Sequence, residues 1–332
     1  MPGISAEARK VNTVLGPVAP EDLGITLVHE HIAAAYPGWD CDPLSRPYDR
    51  EKIVDVCLRN LEPVKSYGVR SVVDATPADL GRDVEIMKSV SDRLEINIVC
   101  STGRYSEEEG NWAYLKQRSR SGAADMTSEL YESLMFEITS GIGESHVKPG
   151  VIKVATGLDR ISECEEALMA AAAQASGETG LPIITHTQDG TMGPQQAEFL
   201  IGEGVDPGLI MVGHMCGNSS LVYQQEVLGT GVSISFDRFG LQKFMPDEVR
   251  VSTLVELLGM GYTDRILMSQ DFIGCTFGRK TTWPDKVIRQ NMNWSYTNIF
   301  RRIIPALEDA GVTERQVDTM MVENPRRLLS GR

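Results

Sequence analysis

Eight short runs of β-branched and aliphatic residues, separated by stretches of helical periodicity, constrain this chain more than any other feature. The runs occupy residues 25–29, 71–75, 96–101, 151–155, 183–187, 210–214, 232–236 and 266–271. Helical patterns cover 53–67, 83–92, 128–140, 163–178, 195–202, 221–229 and 249–259, and two more, 296–310 and 314–329, follow the last run. Stretches such as Ile98-Val99-Cys100 and Ile210-Met211-Val212 are apolar without alternation, as strands buried on both faces must be. This order builds either a (β/α)8 barrel or an open doubly wound sheet. The polar residues favour the barrel: histidine, lysine and aspartate fall at or near the ends of many different runs, and only a barrel gathers those ends around one mouth. Gly16-Pro17 and Ala19-Pro20, within residues 10–23, predict a short β-hairpin closing the opposite end. The expected fold is an α/β (β/α)8 TIM barrel with a short N-terminal β-hairpin, one domain spanning 1–332.

Composition narrows the partners. With 32 Lys+Arg against 46 Asp+Glu, the net charge of −14 repels phosphate backbones and anionic lipid, so nucleic acid and membrane are not expected partners. Met1-Pro2-Gly3-Ile4-Ser5-Ala6-Glu7 has neither a basic nor an apolar targeting region, and no run of the sequence is apolar enough to span a bilayer. A cytoplasmic location is expected. Cys41, Cys57, Cys100, Cys164, Cys216 and Cys275 are scattered without a CxxC pair and read as reduced packing residues.

The chain has five histidines, and four of them lie at strand ends: His29 and His31 in Leu27-Val28-His29-Glu30-His31, then His186 and His214. Residues two apart on a strand share a face, so His29 and His31 project together. Paired imidazoles suit a divalent metal such as zinc, which takes neutral nitrogen at about 2.0–2.1 Å. A lone His186 or His214 would read as a satisfied core histidine, but packing gives no reason to concentrate four there. Lys153, in Val151-Ile152-Lys153-Val154-Ala155, is the next anomaly, since an isolated buried ammonium is too costly. It can pair with a strand-end acid. Alternatively, desolvation can free its amine to form a carbamate with carbon dioxide, an anion able to bridge two metals. Asp271 ends the eighth run and supplies a carboxylate.

His29-x-His31, Lys153, His186, His214 and Asp271, in that strand order, resemble the binuclear amidohydrolase superfamily. The flanks Gly24-Ile25-Thr26-Leu27-Val28-His29-Glu30-His31, Thr185-His186-Thr187 and Val322-Glu323-Asn324-Pro325-Arg326-Arg327-Leu328 resemble the phosphotriesterase family, from about Val11 to the C-terminus. That resemblance implies a hydrolase with two divalent metal ions, zinc with manganese, cobalt or iron as alternatives. His29, His31 and Asp271 would hold the buried ion and His186 and His214 the exposed one. Lys153 as N6-carboxylysine would bridge them together with a hydroxide, and Asp271 would accept that hydroxide's proton. A small lactone or ester is the implied substrate, and a homodimer is the expected assembly.

Phe236-Asp237-Arg238-Phe239-Gly240-Leu241 resembles the Asp-Arg-Tyr-Gly segment of phosphotriesterase-like lactonases, where organophosphate hydrolases have histidine at the position of Arg238. Tyr105 corresponds either to a tyrosine those lactonases aim at the exposed metal or to an ordinary loop aromatic. In the segment 272–294, expected to cover the mouth, Phe272, Ile273, Phe277 and Trp283 are candidates for an acyl channel. Arg279 and Lys280 could grip an anion, as basic residues do in relatives that open phosphorylated sugar lactones, or form a solvated charge pair. Two departures stand out: Gly217 where many members have an aspartate, and Gln270 where lactonases often have histidine. The leading expectation is an acyl- or sugar-lactone hydrolase with weak phosphotriesterase activity. A phosphotriesterase or other ester or amide hydrolase, and a non-catalytic binding protein, are the alternatives.

Overall fold

The structure, a computed structural model, describes residues 9–45, 48–122, 125–279 and 283–331. Its strands are β1 (Val11–Thr13), β2 (Gly16–Val18), β3 (Ile25–Ala34), β4 (Val69–Asp74), β5 (Asn97–Gly103), β6 (Val151–Thr156), β7 (Ile183–Thr187), β8 (Ile210–Val212), β9 (Ser233–Phe236), β10 (Ile266–Met268) and β11 (Ile273–Thr276). Each strand from β3 to β10 pairs in parallel with the next, as the alternation predicts. The sheet has nine strands where eight were expected, because the last run is broken. After pairing with β9 through β10, the chain leaves the ladder over residues 269–272 and resumes as β11 beside β3, with Ile273 opposite His31. The Asp271 N–H donates to the His29 carbonyl at 3.0 Å, and the His31 N–H to that of Phe272 at 2.9 Å, closing the TIM barrel.

β3 runs on to Ala34, so His31 lies within the strand rather than beyond its end. Between Leu27 and Glu30, β3 has one residue more than β4 opposite it, a bulge that re-aims the side chains that follow. Glu30 is buried at the seam. Its Oε1 accepts from Ser269 Oγ at 2.7 Å and the Gln270 N–H at 2.9 Å, and its Oε2 from the Phe272 N–H at 2.8 Å. Burial pushes its carboxyl well up, and these bonds act against that shift. They clamp the break that carries Asp271.

Inside the barrel an apolar layer, including Val28, Val99, Val151, Ile184 and Leu267, fills the lower half. The predicted hairpin exists, β1 antiparallel to β2, and Val11 and Leu23 join Leu328 and Leu329 in sealing that layer from below. Two residues further along the same strand faces come Lys153 after Val151 and His186 after Ile184. A larger apolar cluster lies between the sheet and the surrounding helices α1 (Arg50–Leu61), α2 (Val84–Leu94), α3 (Ala113–Arg120), α4 (Met126–Ser140), α5 (Glu163–Thr179), α6 (Gly193–Gly202), α7 (Leu221–Gly229) and α8 (Asp247–Gly259).

Helix expectations fail where proline or weak amphipathicity intervenes. The stretch 53–67 is α1 followed by a 3-10 segment at Glu62–Tyr67, because Pro63 cannot donate to an α-helical ladder. α3 buries only Leu115, so it leaves no apolar period to read. The last two helices each contain a π turn, Ile299–Ile303 and Thr319–Glu323, shortly before Pro305 and Pro325. Widening the turn accommodates a ring that would clash with the carbonyl four residues back. All six cysteines are free; Cys57, Cys100, Cys164 and Cys216 pack as expected, whereas Cys41 is exposed. Among the described residues, no helix is long and apolar enough to cross a membrane.

Glu30→Ala would leave the buried N–H groups of Gln270 and Phe272 without acceptors, at about 1–3 kcal/mol each. The variant should unfold at a lower urea concentration than the parent; an unchanged midpoint would show that the seam does not depend on this carboxylate.

Candidate active site

The apolar layer ends where the strands turn polar, and there the six expected residues meet. His29 Nε2 lies 3.1 Å from Lys153 Nζ and 3.7 Å from Asp271 Oδ1. His31 Nε2 is 3.1 Å from the same Oδ1, and His214 Nε2 is 3.8 Å from Asp271 Oδ2. His186 Nδ1 sits 2.9 Å from His214 Nε2. Every one of these side chains is buried except that of Asp271, which keeps some exposure. His214 and Asp271 adopt left-handed backbone conformations, φ 59° and 52°, which are strained for side chains of this kind and direct both into the mouth. Gly103 permits the approach of β5 to β6: a Cβ there would drive into the Lys153 carbonyl.

Each ring is also held from behind. His29 Nδ1 lies 2.8 Å from Asp237 Oδ2, and His214 Nδ1 lies 2.9 Å from Asp237 Oδ1. His31 Nδ1 meets Thr76 Oγ1 at 2.8 Å, and His186 Nε2 meets Gln188 Oε1 at 2.9 Å. Three outer nitrogens are thus hydrogen-bonded, that of His29 lies within ion-pair distance of Asp237, and the four inner ones converge. Such an arrangement suits cations, since imidazole lone pairs facing one another need something positive between them. The protonation states agree. Burial drives His186 and His214 well below the ordinary imidazole value, with Arg238 adding to the effect, and burial followed by Lys153 lowers His29. Burial brings Lys153 down to about 8, against the pull of Asp271 and Asp237. Although burial pushes Asp271 up, His214, the bond from His31 and Arg238 hold it well below the usual carboxylate range. His29, His31 and Asp271 form one group whose polar atoms could share an ion.

The residues expected to bind substrate divide. Tyr105 reaches the cluster, its hydroxyl 3.5 Å from His186 Nε2 and its ring edge-on to that imidazole. Arg238 does too: its Nε donates to Asp271 Oδ2 at 3.0 Å, and Nη1 lies 3.9 Å from Asp189. Arg279 is exposed and pairs with Asp42 at 2.8 Å. Lys280 lies outside the described residues. The segment 272–294 is not purely a cover. It begins as β11 and contains the helix α9 (Asp285–Gln290), Phe272 packs on Trp294 and Tyr296, and Phe277 packs on Trp39 and Tyr48. Trp283 is exposed beside Lys243.

The two departures have physical causes. A Cβ at Gly217 would stand 2.8 Å from the carbonyl carbon of Asp189, so the turn after His214 leaves no room for an aspartate. Gln270 faces outward, donating to the Tyr296 carbonyl at 2.6 Å and accepting from the Ile299 N–H at 2.9 Å, which ties the strand break to the last helices. Sequence reasoning passed over Asp237, Gln188, Thr76 and Glu30. The one available signal was Asp237, an acid directly ending an apolar strand, the same pattern that drew attention to Asp271.

Against known proteins, the chain matches the model of the Phosphotriesterase family over residues 9–329. It is 33% identical over 330 residues to a phosphotriesterase homology protein of Mycobacterium tuberculosis, covering 96% of this chain and 97% of that one. It is 32% identical over 318 residues to an aryldialkylphosphatase of Saccharolobus solfataricus, with coverages of 94% and 97%. The solved structure of a variant of a PTE-like lactonase from Deinococcus radiodurans superposes with a TM-score of 0.93 at 42% identity, covering 96% of this chain and 99% of that one.

Asp237→Ala should weaken divalent-metal affinity by about 10–100-fold, because two rings lose the acceptor that orients them. Competition with a chelator measures this, and an affinity equal to the parent's would remove Asp237 from the account of the site.

Proposed function

The chain belongs to the phosphotriesterase family, and from that premise we propose that it is a binuclear metal-dependent hydrolase that opens lactone rings, with weak activity on phosphotriesters. The convergence of four inner imidazole nitrogens on Lys153 and Asp271 carries this reading. His29, His31 and Asp271 would hold one ion, His186 and His214 the other, and Lys153, as a carbamate, would serve both. Zinc fits this set of nitrogen and oxygen donors, as do manganese, cobalt and iron. When bound, two such cations would supply Lewis acidity toward the ester oxygen and lower the pKa of water.

The remaining steps fall to the chain's own side chains. Lys153, with its amine brought to about 8, reaches the free base far more readily than an ordinary lysine, and the free base adds to carbon dioxide with loss of one proton. Asp271 stays ionised and can take a proton from the attacking water, with Arg238 Nε on Oδ2 fixing its carboxylate plane. Tyr105 brings a hydroxyl to the edge of His186, where it can orient a substrate oxygen. The phenol remains protonated, since burial pushes its pKa up.

Arg238 bears on the choice of bond. It is buried against the cluster and narrows the space beside Asp271. A lactone carbonyl is planar and passes into a tetrahedral oxyanion, whereas a phosphotriester begins tetrahedral with three bulky substituents and needs more room.

For the best lactone, kcat/KM should exceed that for a paraoxon-like triester by at least about a hundredfold, about 2.7 kcal/mol of transition-state discrimination. Arg238→His should shrink that ratio. Equal rates on the two substrate classes in the parent would reject the lactonase assignment and leave the metal hydrolase standing.

Lys153→Ala should abolish activity and recover part of it when a short carboxylic acid is added in place of the carbamate. An electron-density map with both metals beside an unmodified lysine amine would overturn the carbamate.

A further inference from the structure

Tyr105 reaches the mouth from a stretch with no strand or helix to hold it, since β5 ends at Gly103 and α3 begins at Ala113. Its tip does not secure it either. The hydroxyl stands 3.5 Å from His186 Nε2, at the outer limit of a hydrogen bond. A phenol oxygen lies far from its own Cα, so a backbone tilt of about 10° carries it about 1 Å, a displacement that matters at a reacting centre. The placement of this side chain must therefore come from its main chain.

That main chain is bonded on every side. The Arg104 N–H donates to the Lys153 carbonyl at 3.2 Å, tying the stretch to β6. Asp79, between β4 and α2, accepts from the Tyr105 N–H on Oδ1 and from the Asn111 N–H on Oδ2, both at 3.1 Å. Glu165, buried in the first turn of α5, accepts from the Glu107 N–H at 2.9 Å. These carboxylates take only N–H groups and leave the carbonyls of residues 105 and 106 to be met from elsewhere. Trp112 meets both: its Nε1–H is shared between the Tyr105 carbonyl at 3.1 Å and the Ser106 carbonyl at 3.0 Å. For the Tyr105 carbonyl it is the one donor among the described residues.

The surroundings of the indole fit that task. Trp112 is buried just ahead of α3. A Cβ on Gly110 would stand 2.6 Å from the Ser106 carbonyl oxygen, 2.7 Å from Asp79 Oδ2 and 2.9 Å from Trp112 Nε1, so the turn closes on all three because residue 110 has no side chain. The Arg104 guanidinium lies 5.8 Å from the indole centroid and donates to the Asn111 carbonyl at 2.8 Å, joining the two ends of the stretch. A buried tryptophan needs one acceptor for its N–H. This one holds two successive carbonyls, and the first belongs to the residue that faces the site.

We propose that Trp112 is a positioning residue for substrate: its indole N–H fixes the peptide of Tyr105 and so holds the phenol hydroxyl where it meets the ester oxygen. The proposal rests on the lactone-hydrolase reading, with Tyr105 orienting the substrate, and adds the side chain that sets Tyr105 in place.

A double-mutant cycle tests it, with zinc-loaded protein and γ-nonanoic lactone as the probe. Tyr105→Phe should lower kcat/KM about 3–10-fold, the worth of one uncharged hydrogen bond. Trp112→Phe keeps an aromatic ring in the core, removes the donor and should lose about as much. The two together should lose no more than Tyr105→Phe alone, while Trp112→Phe lowers the urea midpoint equally in both backgrounds. A tryptophan that only packs would lower the rate by the same factor with or without the Tyr105 hydroxyl. Gly110→Ala presses on the same carbonyl and indole from the other side and should show the same dependence on Tyr105, which serves where Trp112→Phe fails to fold. Losses that multiply overturn the proposal, as does a folded Trp112→Phe, or in its place a Gly110→Ala, with the parent's kcat/KM. Parent-like rates in Tyr105→Phe overturn it too, but leave the lactonase reading in place. A zinc-loaded parent that opens no lactone overturns both.

Discussion

Asp237, fully buried at the end of β9, reaches His29 with one oxygen and His214 with the other. Those two rings come from distant stretches of the chain, yet their centroids lie 4.6 Å apart. A carboxylate has two equivalent acceptor oxygens and no proton to give at neutral pH, so one side chain can brace two rings at once. Burial works against its charge, but His29, Ser235 and Arg238 outweigh burial and leave its carboxyl below the ordinary value. With both rings held from this one side chain, their inner nitrogens converge with those of His31 and His186 on Lys153 and Asp271. The rest of the site follows from that: a cluster of neutral donors, a lysine close to its free base, and one carboxylate that stays ionised.

The residues aimed into the mouth were legible because their types are rare and their neighbours apolar. Four of five histidines, a lysine between Ile152 and Val154, and an aspartate ending a hydrophobic strand all violate the strand composition around them. The side chains that brace them violate nothing. Gln188 and Thr76 look like ordinary loop polar residues, and Glu30 is hidden between two histidines that draw the eye. Their partners lie far away along the chain, 45 residues for Thr76 and His31 and 239 for Glu30 and Ser269. Local pattern carries no trace of such contacts. Arg238 shows a related limit: its position could be read, but its true partner, Asp271, belongs to another strand.

The fold was legible to the same depth. Alternation of apolar runs and helical patterns announced the barrel and its hairpin, and failed where a local event interrupts a regular element. The eighth apolar run divides into β10 and β11 around Asp271, Pro63 turns an α-helix into 3-10, and Pro305 and Pro325 follow π turns. In the helices a proline that cannot keep the regular hydrogen bonds forces the break, whereas between β10 and β11 the left-handed backbone of Asp271 does. Only between β10 and β11 does the break expose a side chain that chemistry can use.

That coincidence explains how the barrel carries its strain. Left-handed His214 and Asp271 cost about 1–3 kcal/mol each, and the burial of Lys153 adds a further penalty. None of this falls on the lower half, where Val11, Leu23, Leu328 and Leu329 close an apolar plug. At the seam, Glu30 repays part of the cost of Asp271 directly, since the N–H groups it captures at 270 and 272 flank the strained residue. The bulge in β3 lies beside it, between Leu27 and Glu30. One irregularity in β3 therefore faces another between β10 and β11, and the carboxylate between them turns two defects into a fixed geometry. A regular eight-stranded seam would be free of that strain, but it would lack the left-handed turn that sets the carboxylate of Asp271 between His31 and Arg238.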